Sequence, residues 1–385
     1  MKQKRRVVTA KASGRPPAVR RATPAARAFP PRVRLPEPAG ASASQPAALS
    51  AAGPAGARPG DLDALGGRPV DLEVDLGRGL VLVNPILGAA GVFGYGVEVG
   101  DAVALYRLGA LCTRGTTLRP RAGNPAPRMA LVPGGLLNAV GLQNPGVEAV
   151  AERYGSAWRD WTVPVIVNIA GESPGDYAEC ARRLEGVPGV AAVELNLSCA
   201  NRGGTQFALD AEAAASVVSA VRRATDLPVL AKLSPNATDV RAIARSVEAA
   251  GADAITAVNT LTGLVLARGR DRPGLGAGYG GLSGPALRPI ALRVVFEVAQ
   301  VVEIPVVAAG GVATLDDVLD FLAAGAVAVQ VGTAAFADPG RPARLVDELA
   351  DACRARGLTG YGTLVGTALP KRASPPSTRG AEYRP

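Results

Sequence analysis

The sequence predicts a (β/α)8 barrel behind a long tail that does not fold, and three observations carry that reading. Short β-branched apolar runs recur eight times between residues 80 and 334, each closing on Gly, Asn, Ser or Thr. The runs are continuously apolar rather than alternating, the pattern of parallel strands buried on both faces. Helical stretches of suitable length lie between the later runs, and such alternation defines the barrel class.

Taken in order, the strands are expected within residues 80–91 (LVLVNPILGAAG), 108–117 (LGALCTRGTT), 163–171 (VPVIVNIAG) and 190–199 (VAAVELNLSC). Four more follow at 227–235 (LPVLAKLSP), 252–260 (ADAITAVNT), 304–311 (IPVVAAGG) and 326–334 (AVAVQVGTA). Helices are expected at 210–224, 238–252, 285–302 and 314–326. Thr238 and Thr314 are placed as N-caps, and Gly251 and Gly325 as the glycines that end helices. An open doubly wound sheet is the alternative. It is disfavoured because no G-x-G-x-x-G opens an early helix and the last two strands end in GG and GT.

The chain has 385 residues and is 48% hydrophobic with only 4% aromatics, so its core is built from Ala, Val and Leu. Its net charge of +9 is misleading until it is located. Residues 1–60 carry twelve Lys or Arg against one acid, Glu37, whereas the rest carries 30 basic and 32 acidic residues. The folded part is therefore near neutral, which argues against a nucleic-acid surface. Residues 1–68, rich in Ala, Pro and Arg, are expected to be a disordered extension. Residues 69–370 form the barrel domain, and 371–385 a flexible tail. No purely apolar stretch reaches the length of a membrane span. The four cysteines, Cys112, Cys180, Cys199 and Cys353, form no C-x-x-C pair, so no metal or iron–sulfur ligation is expected. Free thiols and a cytoplasmic setting are the simplest expectation. There are no histidines, so any general base must be a carboxylate, cysteine, lysine or tyrosine.

Barrel active sites lie at the C-terminal ends of the strands. Here those ends are polar: Thr113-Arg114, Asn168, Asn196 through Cys199, Lys232, Asn259-Thr260, Gly310-Gly311 and Gly332-Thr333. Glycines after the last two strands let backbone N–H groups approach an anion, so Gly310, Gly311, Gly332 and Thr333 are candidates for holding a phosphate. GGLSG (280–284), in isolation a flexible loop, is expected to join them. Asn168, Asn196 and Asn259 carry both donors and acceptors, suited to an imide-bearing ring such as a flavin or a pyrimidine. Lys232, inside the apolar run VLAKL, needs an anionic partner if buried. A reduced flavin would serve as one.

These residues lie in blocks that resemble the class 1 dihydroorotate dehydrogenases, and more closely their B subtype. The blocks are NPILGAAGVFGYGVE, RAGNPAPRM, NAVGLQNPGVE, VNIAG, ELNLSCAN, KLSPNATD, AVNTLTG, GGLSGPALRPIALR and AVQVGTAAFADP, spanning about residues 79–339. The resemblance implies an FMN enzyme that oxidises (S)-dihydroorotate to orotate in pyrimidine synthesis. Cys199 would be the general base, taking a proton from carbon 5 while hydride leaves carbon 6. Asn138, Ala139, Val140, Gly141, Leu142, Asn196, Asn259, Thr260 and Arg114 would hold the substrate. Ala90, Arg114, Gly115, Asn168, Asn196, Lys232 and Val258 would line the flavin, with Gly284, Gly310, Gly311, Gly332 and Thr333 on its phosphate side. The loop after Cys199, with its glycine pair, would close over the substrate.

The chain departs from the family pattern at three of these positions: Arg114 replaces a lysine, Ala90 a serine, and Ala200 the proline after the cysteine. The loop beyond Ala200 is about two residues short. The family forms dimers of the barrel subunit. Its B subtype also works with a second subunit that carries FAD and an iron–sulfur cluster and passes electrons to NAD⁺. Both a homodimer and a heterotetramer with such a subunit are implied. A related dihydropyrimidine oxidoreductase and a catalytically impaired flavin-binding paralogue remain as alternatives. A tRNA dihydrouridine synthase is disfavoured by where the basic charge lies.

Overall fold

In a computed structural model of the protein, residues 69–198 and 206–370 are described. The extension over 1–68, the tail over 371–385 and Cys199 with the first residues of its loop lie outside the described residues. Eight parallel strands close into a barrel. They are β1 (Ile86–Gly88), β2 (Ala110–Cys112), β3 (Val165–Ala170), β4 (Val190–Asn196), β5 (Val229–Lys232), β6 (Ala254–Ala257), β7 (Val306–Ala309) and β8 (Ala328–Val331). Each pairs with the next, and β8 pairs with β1 through Val329↔Ile86 and Val331↔Gly88, so no barrel edge is left open. Every expected strand falls within its predicted run. The runs are continuously apolar because the strands are buried on both sides, by the barrel interior and by the helices.

Around the strands lie α1 (Val147–Trp158), α2 (Pro174–Leu184), α3 (Ala211–Arg222), α4 (Val240–Ala249), α5 (Arg288–Ala299), α6 (Leu315–Ala323), the short α7 (Ala334–Ala337) and α8 (Arg341–Ala355). Between β1 and β2 the connection is made by 3-10 turns, Gly100–Ala102 and Leu105–Arg107, instead of a helix. Three of the few aromatics form one cluster. Tyr95, from that connection, stacks on Tyr154 of α1 at 4.4 Å between ring centroids, and Tyr154 stacks on Trp158 at 5.8 Å. The cluster ties that connection to α1.

Thr314 caps α6 as expected, accepting from the Asp317 N–H while Asp317 reaches back to the Thr314 N–H. The expected cap at Thr238 is wrong by one residue. Asp239 caps α4, its carboxylate accepting from the Ala242 N–H at 3.0 Å. Ionised Asp at that position also faces the positive end of the helix dipole, an advantage Thr lacks. Asp239→Ala is therefore expected to lower stability by about 1 kcal/mol, and Thr238→Ala by less than about 0.5 kcal/mol, as read from urea unfolding midpoints. Equal effects would show that the cap assignment is wrong. Gly251 and Gly325 follow their helices with φ of +99° and +105°, as expected of helix-ending glycines.

One element was not foreseen. A four-stranded antiparallel sheet lies at the C-terminal end of the barrel, made from Met129–Val132, Gly135–Asn138, Leu261–Gly263 and Gly280–Ser283. The GGLSG stretch, expected as a loop, is the strand between Gly135–Asn138 and Leu261–Gly263. Its glycines are required by close approach: a Cβ on Gly281 would stand 2.0 Å from Thr260 Oγ1, and one on Gly280 2.8 Å from the Asn138 carbonyl oxygen.

Candidate active site

The site is built in layers, beginning inside the barrel. Parallel register sets Asn168 opposite Glu194, and Lys232 opposite both Asn196 and Thr256. Glu194 is fully buried. Its Oε1 accepts from Asn168 Nδ2 at 2.7 Å and from Lys232 Nζ at 3.2 Å. Its Oε2 accepts from Gln330 Nε2 at 2.6 Å and from Thr256 Oγ1 at 2.8 Å. Gln330 returns its Oε1 to Lys232 Nζ at 2.9 Å, which closes a ring of three side chains. Burial pushes the Glu194 carboxyl up, but the lysine charge and the hydrogen bonds from Gln330, Asn168 and Thr256 outweigh it and hold the group below the usual carboxylate range. Cys112 borders this layer, accepting from Gln330 Nε2 at 3.2 Å. Burial, reinforced by the Glu194 charge, drives its thiol well above the ordinary value, so it is an inert core group.

Above this layer come the strand-end amides. Asn196 Oδ1 accepts from Asn259 Nδ2 at 3.0 Å, and Asn259 Oδ1 accepts from the Thr260 N–H at 2.8 Å. Tyr177 from α2 donates its hydroxyl to the Asn196 carbonyl at 2.8 Å. Val258, buried, hydrogen-bonds through its N–H to the Ala309 carbonyl. Asn138 enters from the antiparallel sheet, its Nδ2 donating to the Gly281 carbonyl at 3.2 Å. The turn from Asn138 through Ala139, Val140 and Gly141 to Leu142 is pinned on both sides. Asn124 Nδ2 donates to the Ala139 carbonyl, and buried Asn144 donates to the Leu142 carbonyl at 2.7 Å and to Thr117 Oγ1 at 2.8 Å. Gly115 brings the turn and the barrel together. A Cβ there would meet Leu142 Cδ2 at 2.7 Å, Asn168 Oδ1 at 3.2 Å and Asn196 Nδ2 at 3.9 Å.

Arg114 is half-buried at the end of β2, its guanidinium 5.9 Å from the centre of the Tyr95 ring. At that distance the contact is a cation–π attraction, which gives the arginine a partner within the chain. Tyr95 is fixed in turn by Thr116, 3.1 Å from its hydroxyl.

The glycine loops also converge. Gly284, Gly310 and Gly311 have φ of +96°, +124° and +82°, a region L residues rarely adopt. A Cβ on Gly284 would lie 3.5 Å from the Thr333 methyl, and Thr333 Oγ1 hydrogen-bonds Ser283 Oγ at 2.8 Å. Gly332 lies beside Ala89, next to Ala90 in the loop after β1. These stretches of bare backbone from three loops can hold an anionic group.

Of the residues expected from the sequence, all but Cys199 fall among those described, and they gather at one end of the barrel. Lys232 is buried and has the anionic partner that burial requires, and within the chain that partner is Glu194. Glu194, Gln330, Thr256 and Asn144 were missed. The signal for the first two was present, since a charged and an amide residue stand inside the apolar runs VAAVELNL and AVAVQVG. Among the described residues, no group of three or more His, Cys, Asp or Glu could hold a metal ion, and no helix is long and apolar enough to cross a membrane.

A closed parallel barrel with buried ionic and amide layers beneath a glycine cradle defines an enzyme of the (β/α)8 class with its site at the strand C-termini. The sequence profile of the dihydroorotate dehydrogenase family matches residues 72–353, and the chain belongs to that family. It is 46% identical over 300 residues, 77% of this chain and 98% of the relative, to the dihydroorotate dehydrogenase B (NAD(+)) catalytic subunit of Porphyromonas gingivalis. It is 49% identical over 292 residues, 75% of this chain and 95% of the relative, to the protein of the same name from Desulforudis audaxviator. The structure is similar to that of the Eimeria tenella enzyme crystallised with ferulenol, with a TM-score of 0.66 at 22% identity over 79% of this chain and 90% of the other, which bears on the fold alone.

Proposed function

We propose that the protein is the catalytic subunit of an FMN-dependent dihydroorotate dehydrogenase of the B subtype, with Cys199 as its base and residues 69–370 as its catalytic domain. The observation that carries the reading is the superposition of two recognition surfaces in one mouth. Lys232 and Asn168 lie in the barrel interior, joined through Glu194, and above them Asn196, Asn259 and Thr260 form a hydrogen-bonded rim that Asn138 approaches from the antiparallel sheet, held to the Gly281 carbonyl. A flavin and a dihydropyrimidine both present imide edges that such groups match.

The chain's residues fit FMN. The loops of Gly284, Gly310, Gly311, Gly332 and Thr333 suit its phosphate, since the positive φ of the first three lets backbone N–H groups turn toward an anion in a way L residues rarely allow. Lys232, Asn168, Gly115, Ala90 and Val258 suit its ring. When bound, FMN supplies the acceptor for the hydride that leaves carbon 6 of dihydroorotate. The protein's task is then to position the substrate and remove one proton. Asn138, Asn196, Asn259 and Thr260 would orient the pyrimidine ring, and the Asn138–Leu142 turn would close its far side. Arg114 would meet the substrate carboxylate with a planar fork of N–H donors in place of a lysine's point charge. Cys199 would accept the carbon 5 proton.

A separate electron-transfer subunit is the natural partner, because the relatives that match most of this chain are named as catalytic subunits. A dimer of barrel subunits is proposed with it.

The test is direct. Purified protein is expected to carry one FMN per chain, and anaerobic (S)-dihydroorotate to bleach its visible absorption within seconds, with orotate as the product. A flavin that stays oxidised with dihydroorotate would refute the substrate, and a chain purified without flavin would refute the cofactor as well.

A further inference from the structure

The buried carboxylate of Glu194 has no place in the reaction as proposed, yet each of its oxygens accepts two hydrogen bonds. Four side chains donate to its two oxygens: Asn168, Lys232, Gln330 and Thr256. Barrel interiors are ordinarily filled by branched aliphatic residues. A buried ion pair is usually no more stabilising than apolar residues of the same volume, because desolvating each charge costs several kcal/mol. Stability therefore does not explain why an acid and a lysine stand here. We infer that Glu194 is a positioning residue: together with Gln330 it fixes the Lys232 ammonium inside the barrel and partly cancels the charge it would offer a bound flavin. This rests on the flavin reading above.

The geometry supports both halves of the inference. Lys232 Nζ is held between Glu194 Oε1 at 3.2 Å and Gln330 Oε1 at 2.9 Å, and Gln330 is itself tied to Glu194 Oε2. The lysine is thus held from two sides by groups that also hold each other, which leaves it little freedom. Two of its three ammonium protons are committed to these partners among the described residues, and the third can serve a ligand. The charged and titratable groups facing Glu194 are Lys232 and Cys112, and burial keeps the Cys112 thiol neutral. The pair therefore presents a dipole to a bound flavin. Without Glu194 it would present a full positive charge.

Sulfite provides the test, because its affinity for an oxidised flavin rises as positive charge near the ring increases. The readout is loss of visible absorption and requires no turnover. Glu194→Gln in the full-length holoprotein is expected to bind sulfite at least tenfold more tightly than wild type. Lys232→Met is expected to bind it at least tenfold more weakly. A purely structural role would change thermal stability and FMN content but not move sulfite affinity in opposite directions. If Glu194→Gln fails to fold, Lys232→Met is compared with the double variant Lys232→Met/Glu194→Gln. The single variant alone retains the Glu194 carboxylate, so it is expected to bind sulfite at least tenfold more weakly than the double at the same pH. Equal sulfite affinity in these two variants, or wild-type sulfite affinity in a flavin-loaded Glu194→Gln, would overturn the inference while leaving the flavin reading intact. A wild-type protein without flavin would overturn both.

Discussion

Cys199→Ser is expected to slow the bleaching of bound flavin by dihydroorotate by about 10²–10⁴-fold, with FMN content and thermal stability close to wild type. The measurement is anaerobic stopped-flow of the reductive step, monitored by flavin absorption. The size of the effect follows from the absence of substitutes. The chain has no histidine. Tyr95 is pushed up to about 12, first by burial, with its bond to Thr116 and the charge of Arg114 acting against that, so its phenolate is scarce near neutral pH. Glu194 is buried beneath the site and held below the usual carboxylate range by its four donors, which makes it a weak base that substrate does not reach. Lys232 is bound between Glu194 and Gln330. Serine keeps the shape of the cysteine but is a far poorer proton acceptor at neutral pH. A Cys199→Ser protein that reduces its flavin at the wild-type rate would remove the cysteine from the mechanism.

The parts of the site that were legible in the sequence share one property. Asn168, Asn196, Lys232 and Asn259 stand where an apolar run ends or is interrupted, so a period-independent reading of buried strands marks them at once. The glycine pair at 310–311 and the Gly332-Thr333 step are legible for the same reason. The barrel itself was legible because a strand buried on two faces must be apolar at every position. Glu194 and Gln330 were passed over inside such runs, because the sequence shows a polar residue in the core without showing its partners. Their partners come from β3, β5 and β6, and the barrel's closure brings them together. The antiparallel sheet escaped for a different reason. Its strands are three or four residues long, and Gly280–Ser283 begins with two glycines, a composition that locally signals a loop. Long-range pairing with Gly135–Asn138 and Leu261–Gly263, rather than propensity, makes it a strand.

That reassignment leads to a second large expected effect, at Gly281. Read as a loop, GGLSG belongs with the phosphate cradle, and substitution there should cost cofactor. Paired as a strand, Gly281 sits between two groups proposed to hold substrate. Its carbonyl accepts from Asn138 Nδ2 at 3.2 Å, and it is opposite Asn138 on one side and Thr262 on the other. A Cβ at this position would stand 2.0 Å from Thr260 Oγ1 and 2.6 Å from Thr260 Cβ. Neither distance is tolerable, and Thr260 is half-buried with its N–H already tied to Asn259. The strain is therefore passed to the Asn259–Thr260 corner or to the Asn138 pairing, and both lie on the proposed substrate surface. Displacements of about 1 Å in such a surface cost about 10²-fold in rate. Gly281→Ala is accordingly expected to lower kcat/KM for dihydroorotate by about 10²-fold. FMN should stay bound, because Gly284 and the loops after β7 and β8 are not involved in the clash. Overpacking should also cost about 1–3 kcal/mol of stability. Gly362→Ala is the matched control, since a Cβ there would meet nothing within 4 Å, and it is expected to leave both quantities unchanged. If Gly281→Ala instead loses FMN while its remaining holoenzyme turns over with an unchanged KM, the stretch belongs to the cofactor and not to the substrate.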